Sequence, residues 1–114
     1  MNITLKQIEA FLAVARTLSF SQAASAVHLS QPALSANIHR LEQTLGARLF
    51  DRDTRTVSLS VVGREFVEVA LSIASQVACG LDHMQDVVSG NHGQLTIAVA
   101  PSVAAGARWP GRRA

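Results

Sequence analysis

Between residues 61 and 88 an apolar side chain recurs every three or four positions: Phe66, Val69, Ile73, Val77, Leu81, Met84 and Val88, with no proline among them. That period is helical, because residues three and four apart share one face of an α-helix. Ser60 stands before the run as an N-cap and Gly90-Asn91 stops it. At a rise of ~1.5 Å per residue the helix spans roughly 40 Å. Residues 1–60 make too small a core to bury the whole stripe. Long isolated helices are marginal in water, so this one needs a second apolar surface. The chain is therefore one small domain followed by a long helical appendage.

The small domain is built from small side chains. There are four Phe, one Trp (Trp109) and no Tyr in 114 residues, so Ala, Leu, Val and Ile must fill the interior, which suits close-packed helices. The single Cys79 excludes an internal disulfide framework and fits a reducing compartment. No apolar stretch approaches the ~20 residues needed to span a bilayer. Lys6, Gln7 and Glu9 interrupt the amino terminus too early for a signal peptide. The expectation is a soluble, cytoplasmic protein with no membrane partner.

Along the first sixty residues the capping signals mark three helices. Thr4 followed by Gln7 is a capping-box pattern, and Ile8, Phe11, Leu12 and Ala15 recur behind it, giving a helix over 5–18. Ser21 caps a short, alanine-rich helix through about Val27, containing Ala23, Ala24 and Ala26. His28-Leu29 makes a tight connection, and Ser30 caps a third helix over 31–45. Pro32 sits in its first turn, where a missing N–H leaves no intrahelical bond unmade. Leu34, Ile38, Leu41 and Leu45 form its apolar stripe and Gly46 ends it. The period then changes: Leu49-Phe50 and Val57-Ser58-Leu59 are short β-prone runs around the polar tip Arg52-Asp53-Thr54-Arg55-Thr56, a two-stranded ribbon. The fold class is mainly α, a winged helix-turn-helix of three helices and a two-stranded wing, followed by the long helix. Downstream, Leu95, Ile97 and Val99 alternate with Thr96, Ala98 and Ala100 as a strand would.

Two short helices joined by a tight turn, the second with a polar outer face, form the arrangement that inserts a recognition helix into the DNA major groove. The stripe of the third helix faces inward, so Pro32, Ala36, His39, Arg40 and Gln43 point outward with Ser35 on the flank. Gln31 can bond adenine bidentately, Ser35 can bond base or phosphate, and Pro32 and Ala36 can meet a thymine methyl. The helix amino terminus itself favours phosphate. The same residues also suit a solvated surface beside a cap. Arg52 and Arg55 have the fork geometry for phosphate or minor-groove contact, while surface pairing with Asp51 and Asp53 is the competing arrangement. Charge placement points the same way. Through Arg64 there are seven Lys and Arg against four Asp and Glu, whereas Glu65 to Asn91 holds four carboxylates and no Lys or Arg. A polyanion should meet the first half.

Catalysis and metal binding find little support. Cys79 and His83 lie four apart beside Asp82 and Asp86, but the helical stripe accounts for Cys79 as a small apolar residue. His28, His39 and His92 fall on unrelated elements, and no Gly-x-Ser-x-Gly, Cys-x-x-Cys or phosphate loop is present. No enzyme activity, metal or cofactor is expected.

The stretch FSQAASAVHLSQPALSANIHRLEQTLGARLFDRDTRTVSLSVVG resembles the DNA-binding domain of LysR-type transcriptional regulators. It carries the family's Ser-Gln-Pro-Ala-Leu-Ser run as Ser30 to Ser35, then Leu41-Glu42, Leu45-Gly46, Leu49-Phe50 and Arg52 in the family's order. The resemblance starts at Leu5, runs through the linker helix and reaches GQLTIAVAPS, which looks like the first strand of the family's effector-binding domain. It implies a winged helix-turn-helix DNA-binding domain over 1–60, a linker or dimerisation helix over 61–90, the start of an effector domain over 91–106 and an atypical tail over 107–114. It implies base reading by Gln31, Pro32, Ser35 and Ala36, with His39 and Arg40 on the same face, and a wing over 51–57 whose arginine is Arg55, on the backbone or minor groove. The function implied is sequence-specific transcriptional regulation on double-stranded DNA. Two linker helices would pair antiparallel through Phe66, Val69, Ile73, Val77, Leu81, Met84 and Val88, placing a homodimer on an interrupted palindrome. Two departures stand out. Ala36 replaces the Arg or polar residue many members carry, and Leu59-Ser60-Val61-Val62-Gly63 stands where the family usually has Leu-Thr-x-Ala-Gly, with Ser60 still able to cap. The tail ARWPGRRA fits no family element, as expected of a truncated or frame-shifted product or an appended tail. A small-molecule inducer is therefore expected only for a full-length relative. The alternative is an interaction protein that forms mixed dimers with relatives or occupies their operators without inducer response.

Overall fold

A computed structural model describes residues 2–53 and 56–90. The element order is α1 (Leu5–Thr17), α2 (Phe20–Ala26), α3 (Gln31–Leu45), β1 (Phe50–Arg52), β2 (Val57–Leu59) and α4 (Val61–Val88). The winged helix-turn-helix with its long following helix is thus the observed fold class. The chain divides into two units, residues 1–75 and 76–114. In the second, the described residues are the distal part of α4 and the turn that ends it at Gly90, where φ is 94°.

Each helix of the first unit begins on a side-chain cap that satisfies an otherwise orphaned N–H. At α1 the capping box is closed in both directions: Gln7 N–H donates to Thr4 Oγ1 at 3.1 Å and Thr4 N–H to Gln7 Oε1 at 3.3 Å. At α3, Ala33 N–H donates to Ser30 Oγ at 3.2 Å, and Pro32 occupies the first turn. The short α2 starts earlier than its sequence indicates. Its cap is Ser19 and not Ser21; Ser19 accepts from Gln22 N–H at 3.1 Å, so the helix opens at Phe20 and closes at Ala26. The difference is tertiary: Phe20 packs on the core as the first helical residue.

Besides Gly90, two residues with positive φ set helix ends. Leu18 (φ 53°) caps α1, ending it at Thr17, and Gly46 (φ 76°) caps α3. His28 (φ 58°) also has positive φ and lies in the α2–α3 turn, where Leu29 N–H donates to Ala24 O at 2.9 Å.

The core is one cluster. Ile8, Phe11 and Val14 of α1, Ala23 and Ala24 of α2, and Leu34, Ile38 and Leu41 of α3 are buried together with Leu49, Phe50 and Ala70. Fully burying each large aliphatic side chain contributes about 1.5–3 kcal/mol. Phenylalanines connect the elements: Phe11 lies against Phe50 (5.4 Å between ring centroids) and edge-on to Phe66 (5.1 Å), and Phe50 meets Phe20 at 6.1 Å.

The wing is an antiparallel pair in the register Phe50↔Leu59, Asp51↔Ser58 and Arg52↔Val57, and Asp53 N–H donates to Thr56 O across the tip. Leu49 is not in this ladder. Its N–H goes to a Glu42 carboxylate oxygen (2.8 Å) and its carbonyl accepts from Ser60 N–H (2.9 Å), so the strand begins at Phe50. Ser60 joins wing to helix: its hydroxyl donates to Arg48 O at 2.7 Å and accepts from Gly63 N–H at 2.9 Å, capping α4. The strand over 94–100, the rest of 91–106 and the tail over 107–114 lie outside the described residues.

Candidate nucleic-acid interface

The third helix presents two faces that its sequence period separates. Leu34, Ile38 and Leu41 are buried against α1 and α2. On the other side Gln31, Pro32, Ser35, His39 and Arg40 are exposed, and Ala36 is half-buried between them. Gln31, Pro32 and Ser35 fall in the first turn and a half, at the end where unpaired N–H groups and the helix dipole favour an anion. Thr44 Oγ1 and Asn37 Nδ2 are turned back on the carbonyls of Arg40 and Ala33, at 3.0 and 3.1 Å. Among the described residues no hydrogen bond or ion pair engages the side chains of Gln31, Ser35, His39 or Arg40. Among the described residues this is a row of donors, acceptors and small apolar groups on a rigid helix, the chemistry that reads base edges.

The two wing arginines fare differently. Arg55 lies outside the described residues. Arg52, on the last rung of the ladder, turns inward: its Nη2 stands 3.7 Å from Glu42 Oε1, and its guanidinium carbon lies 4.9 Å from the centre of the Phe20 ring. Neither Asp51 nor Asp53, the neighbours in sequence, is the partner in that ion pair. Sequence reasoning missed Glu42 and Phe20. The signal was there in Glu42, a carboxylate directly beside core Leu41 in the last turn of α3, but a partner ten residues away is set by tertiary packing.

The apolar stripe of α4 also divides. Phe66 is partly buried and packs on the core through Phe11, with Gly63 and Ala70 buried on the same side. In the first unit Val69 and Ile73 are exposed. In the second, Val77 is half-buried, while Leu81 is 63 %, Met84 51 % and Val88 82 % exposed. Cys79 is exposed, and no group of three or more His, Cys, Asp or Glu among the described residues is placed to hold a metal ion. No described helix is long and apolar enough to cross a membrane.

Comparison with known proteins gives a consistent picture. Residues 5–64 match the model of the bacterial regulatory helix-turn-helix protein family, lysR type. The chain is 38 % identical over 102 residues to an uncharacterized HTH-type transcriptional regulator, YnfL, of Escherichia coli K12, covering 90 % of this chain and 34 % of that protein. It thus spans about a third of the length of that curated relative. Vibrio fischeri DarR, solved in complex with DNA, superposes with a TM-score of 0.74 at 36 % identity, over 78 % of this chain and 30 % of that one. The BenM DNA-binding domain in complex with benA site 1 DNA superposes with a TM-score of 0.70 at 32 % identity, over 76 % of this chain and 98 % of that one.

Proposed function

Because the chain belongs to the LysR family of bacterial regulatory helix-turn-helix proteins, we propose that it regulates transcription by sequence-specific binding to double-stranded DNA. The observation that carries the reading is the exposed row Gln31, Pro32, Ser35, His39 and Arg40, with half-buried Ala36 between them, on a helix whose opposite face buries Leu34, Ile38 and Leu41. A helix held this way enters a major groove without rearranging its own core. Gln31 and Ser35 supply hydrogen bonds to base edges, and Pro32 and Ala36 supply apolar contact to a thymine methyl. His39 and Arg40, further along the same face, lie toward the phosphates. Arg55 at the wing tip takes the backbone or minor groove. Solved DNA complexes of DarR and of the BenM DNA-binding domain, both similar in fold and sequence, support this partner.

Two copies pair through α4. Its exposed Val69, Ile73, Leu81, Met84 and Val88 need an apolar partner surface, and Phe66 contributes by fixing the helix to its own core. A two-fold dimer addresses an interrupted palindrome, because operator symmetry mirrors protein symmetry. The reading is of a cytoplasmic regulator with no catalytic step. The interaction-protein alternative has no observation of its own in its favour.

The test is to select bound duplexes from a random pool with the full chain and then to compare variants on selected and random DNA. Gln31→Ala should cost roughly 1–3 kcal/mol on the selected site, relax preference at one base pair and leave random DNA almost unaffected. Equal losses on both DNAs would refute base reading by this helix.

A further inference from the structure

Glu42 is unusual among the charged residues of the domain. Its side chain is only 9 % exposed, yet both oxygens are used: Oε2 accepts from the Leu49 N–H at 2.8 Å, and Oε1 faces Arg52 Nη2 at 3.7 Å. A carboxylate this deep is costly unless it is hydrogen-bonded and paired. Arg52 is the cation of that pair, with its side chain 37 % exposed and its guanidinium over Phe20. One carboxylate on α3, one guanidinium on β1 and one ring on α2 therefore meet at a single point. That point lies on the last ladder rung, Arg52↔Val57, next to the tip closed by Asp53 and Thr56.

We propose that Arg52 is a positioning residue, which sets the wing against the recognition helix through Glu42 and Phe20 and does not itself bind phosphate. The inference rests on the DNA-binding reading above and deepens it. Swinging Arg52 out to DNA would leave the Glu42 carboxylate buried without its cation and strip the Phe20 face, so the guanidinium stays where it is. The consequence reaches DNA indirectly, since strands β1 and β2 are held at a fixed angle to the helix that enters the groove.

The experiment turns on a sign. Glu42→Gln removes a negative charge from a DNA-binding domain while keeping an oxygen to accept the Leu49 N–H. If charge alone governed the effect, affinity for DNA would rise. If Glu42 acts by holding Arg52, affinity for the selected duplex falls, by about threefold to tenfold given the size of a lost cation–π and ion-pair contact. Arg52→Lys is the companion variant: it keeps the charge, loses the planar fork, and should weaken binding similarly. Because the two share one contact, the double variant should cost no more than either alone. The slope of log affinity against log salt should match the unsubstituted chain in all three, measured where circular dichroism shows each fully folded.

Tighter binding by Glu42→Gln would overturn the proposal. So would an Arg52→Met slope reduced by about 0.9, the mark of a lost phosphate contact, or binding unchanged in variants that only lose stability. Failure of the unsubstituted chain to prefer any duplex would instead refute the DNA-binding reading itself, so the two failures remain distinguishable.

Discussion

At Gly63 the first turn of α4 passes the carbonyl of Leu49 so closely that an added Cβ would overlap that oxygen and stand 3.0 Å from Leu59 Cδ2. The oxygen cannot retreat, because it already accepts the Ser60 N–H at 2.9 Å, and Ser60 is bound to Arg48 O and Gly63 N–H. Glycine is thus required here by proximity. Gly63→Ala should destabilise the domain by about 1–3 kcal/mol through this overpacking, read as a lower urea midpoint with an unchanged slope. A stability equal to the parent would show that wing and helix are not locked at this point. His28 is a different case: it holds a left-handed turn with a side chain of a type that tolerates that region better than most. At the same scale the limits of sequence reading are plain. The exposed row on α3 was legible because Leu34, Ile38 and Leu41 repeat at helical spacing and leave the other positions outside. The fate of Arg52 was not, because nothing local to the wing announces Glu42 or Phe20 as its partners.

Among the elements, those with strong caps at both ends were legible to the residue. Ser30 and Gly46 bound α3, and Ser60 with Gly90 frames α4, because a satisfied N–H at one end and a left-handed glycine beyond the other are local chemistry. The start of α2 was misread from Ser21 because the observed cap, Ser19, is set by Phe20 packing in the core, a tertiary fact. Leu49 reads as strand but spends its N–H on Glu42, a tertiary bond that no β-propensity contains. For α4 the period was clear and its use was mixed. Phe66 and Ala70 close the subunit's own core, while Ile73 and Leu81 are exposed. Ile73→Glu and Leu81→Glu remove exposed apolar surface without touching that core. Together they should leave folding intact and convert dimers to monomers in sedimentation equilibrium. An unchanged dimer mass would show that α4 is not the pairing surface.

For the whole molecule, charge and symmetry carry the argument. The cations are concentrated before Glu65, and the segment from Glu65 to Asn91 has carboxylates without Lys or Arg. A polyanion is therefore drawn to the winged domain and not to the long helix. That attraction is indifferent to sequence and decays steeply with salt, whereas hydrogen bonds to base edges, the role we propose for Gln31 and Ser35, discriminate. On that proposal Ala36, whose methyl offers only apolar contact, leaves more of the discrimination to Gln31 and Ser35. The decisive measurement is equilibrium binding of the full chain to a duplex selected from a random pool and to a scrambled duplex of equal composition, from low to physiological salt. A base-reading recognition helix predicts a preference of at least ~10³-fold for the selected duplex, persisting as both affinities fall with salt. Equal affinity for the two duplexes at every salt concentration would contradict it.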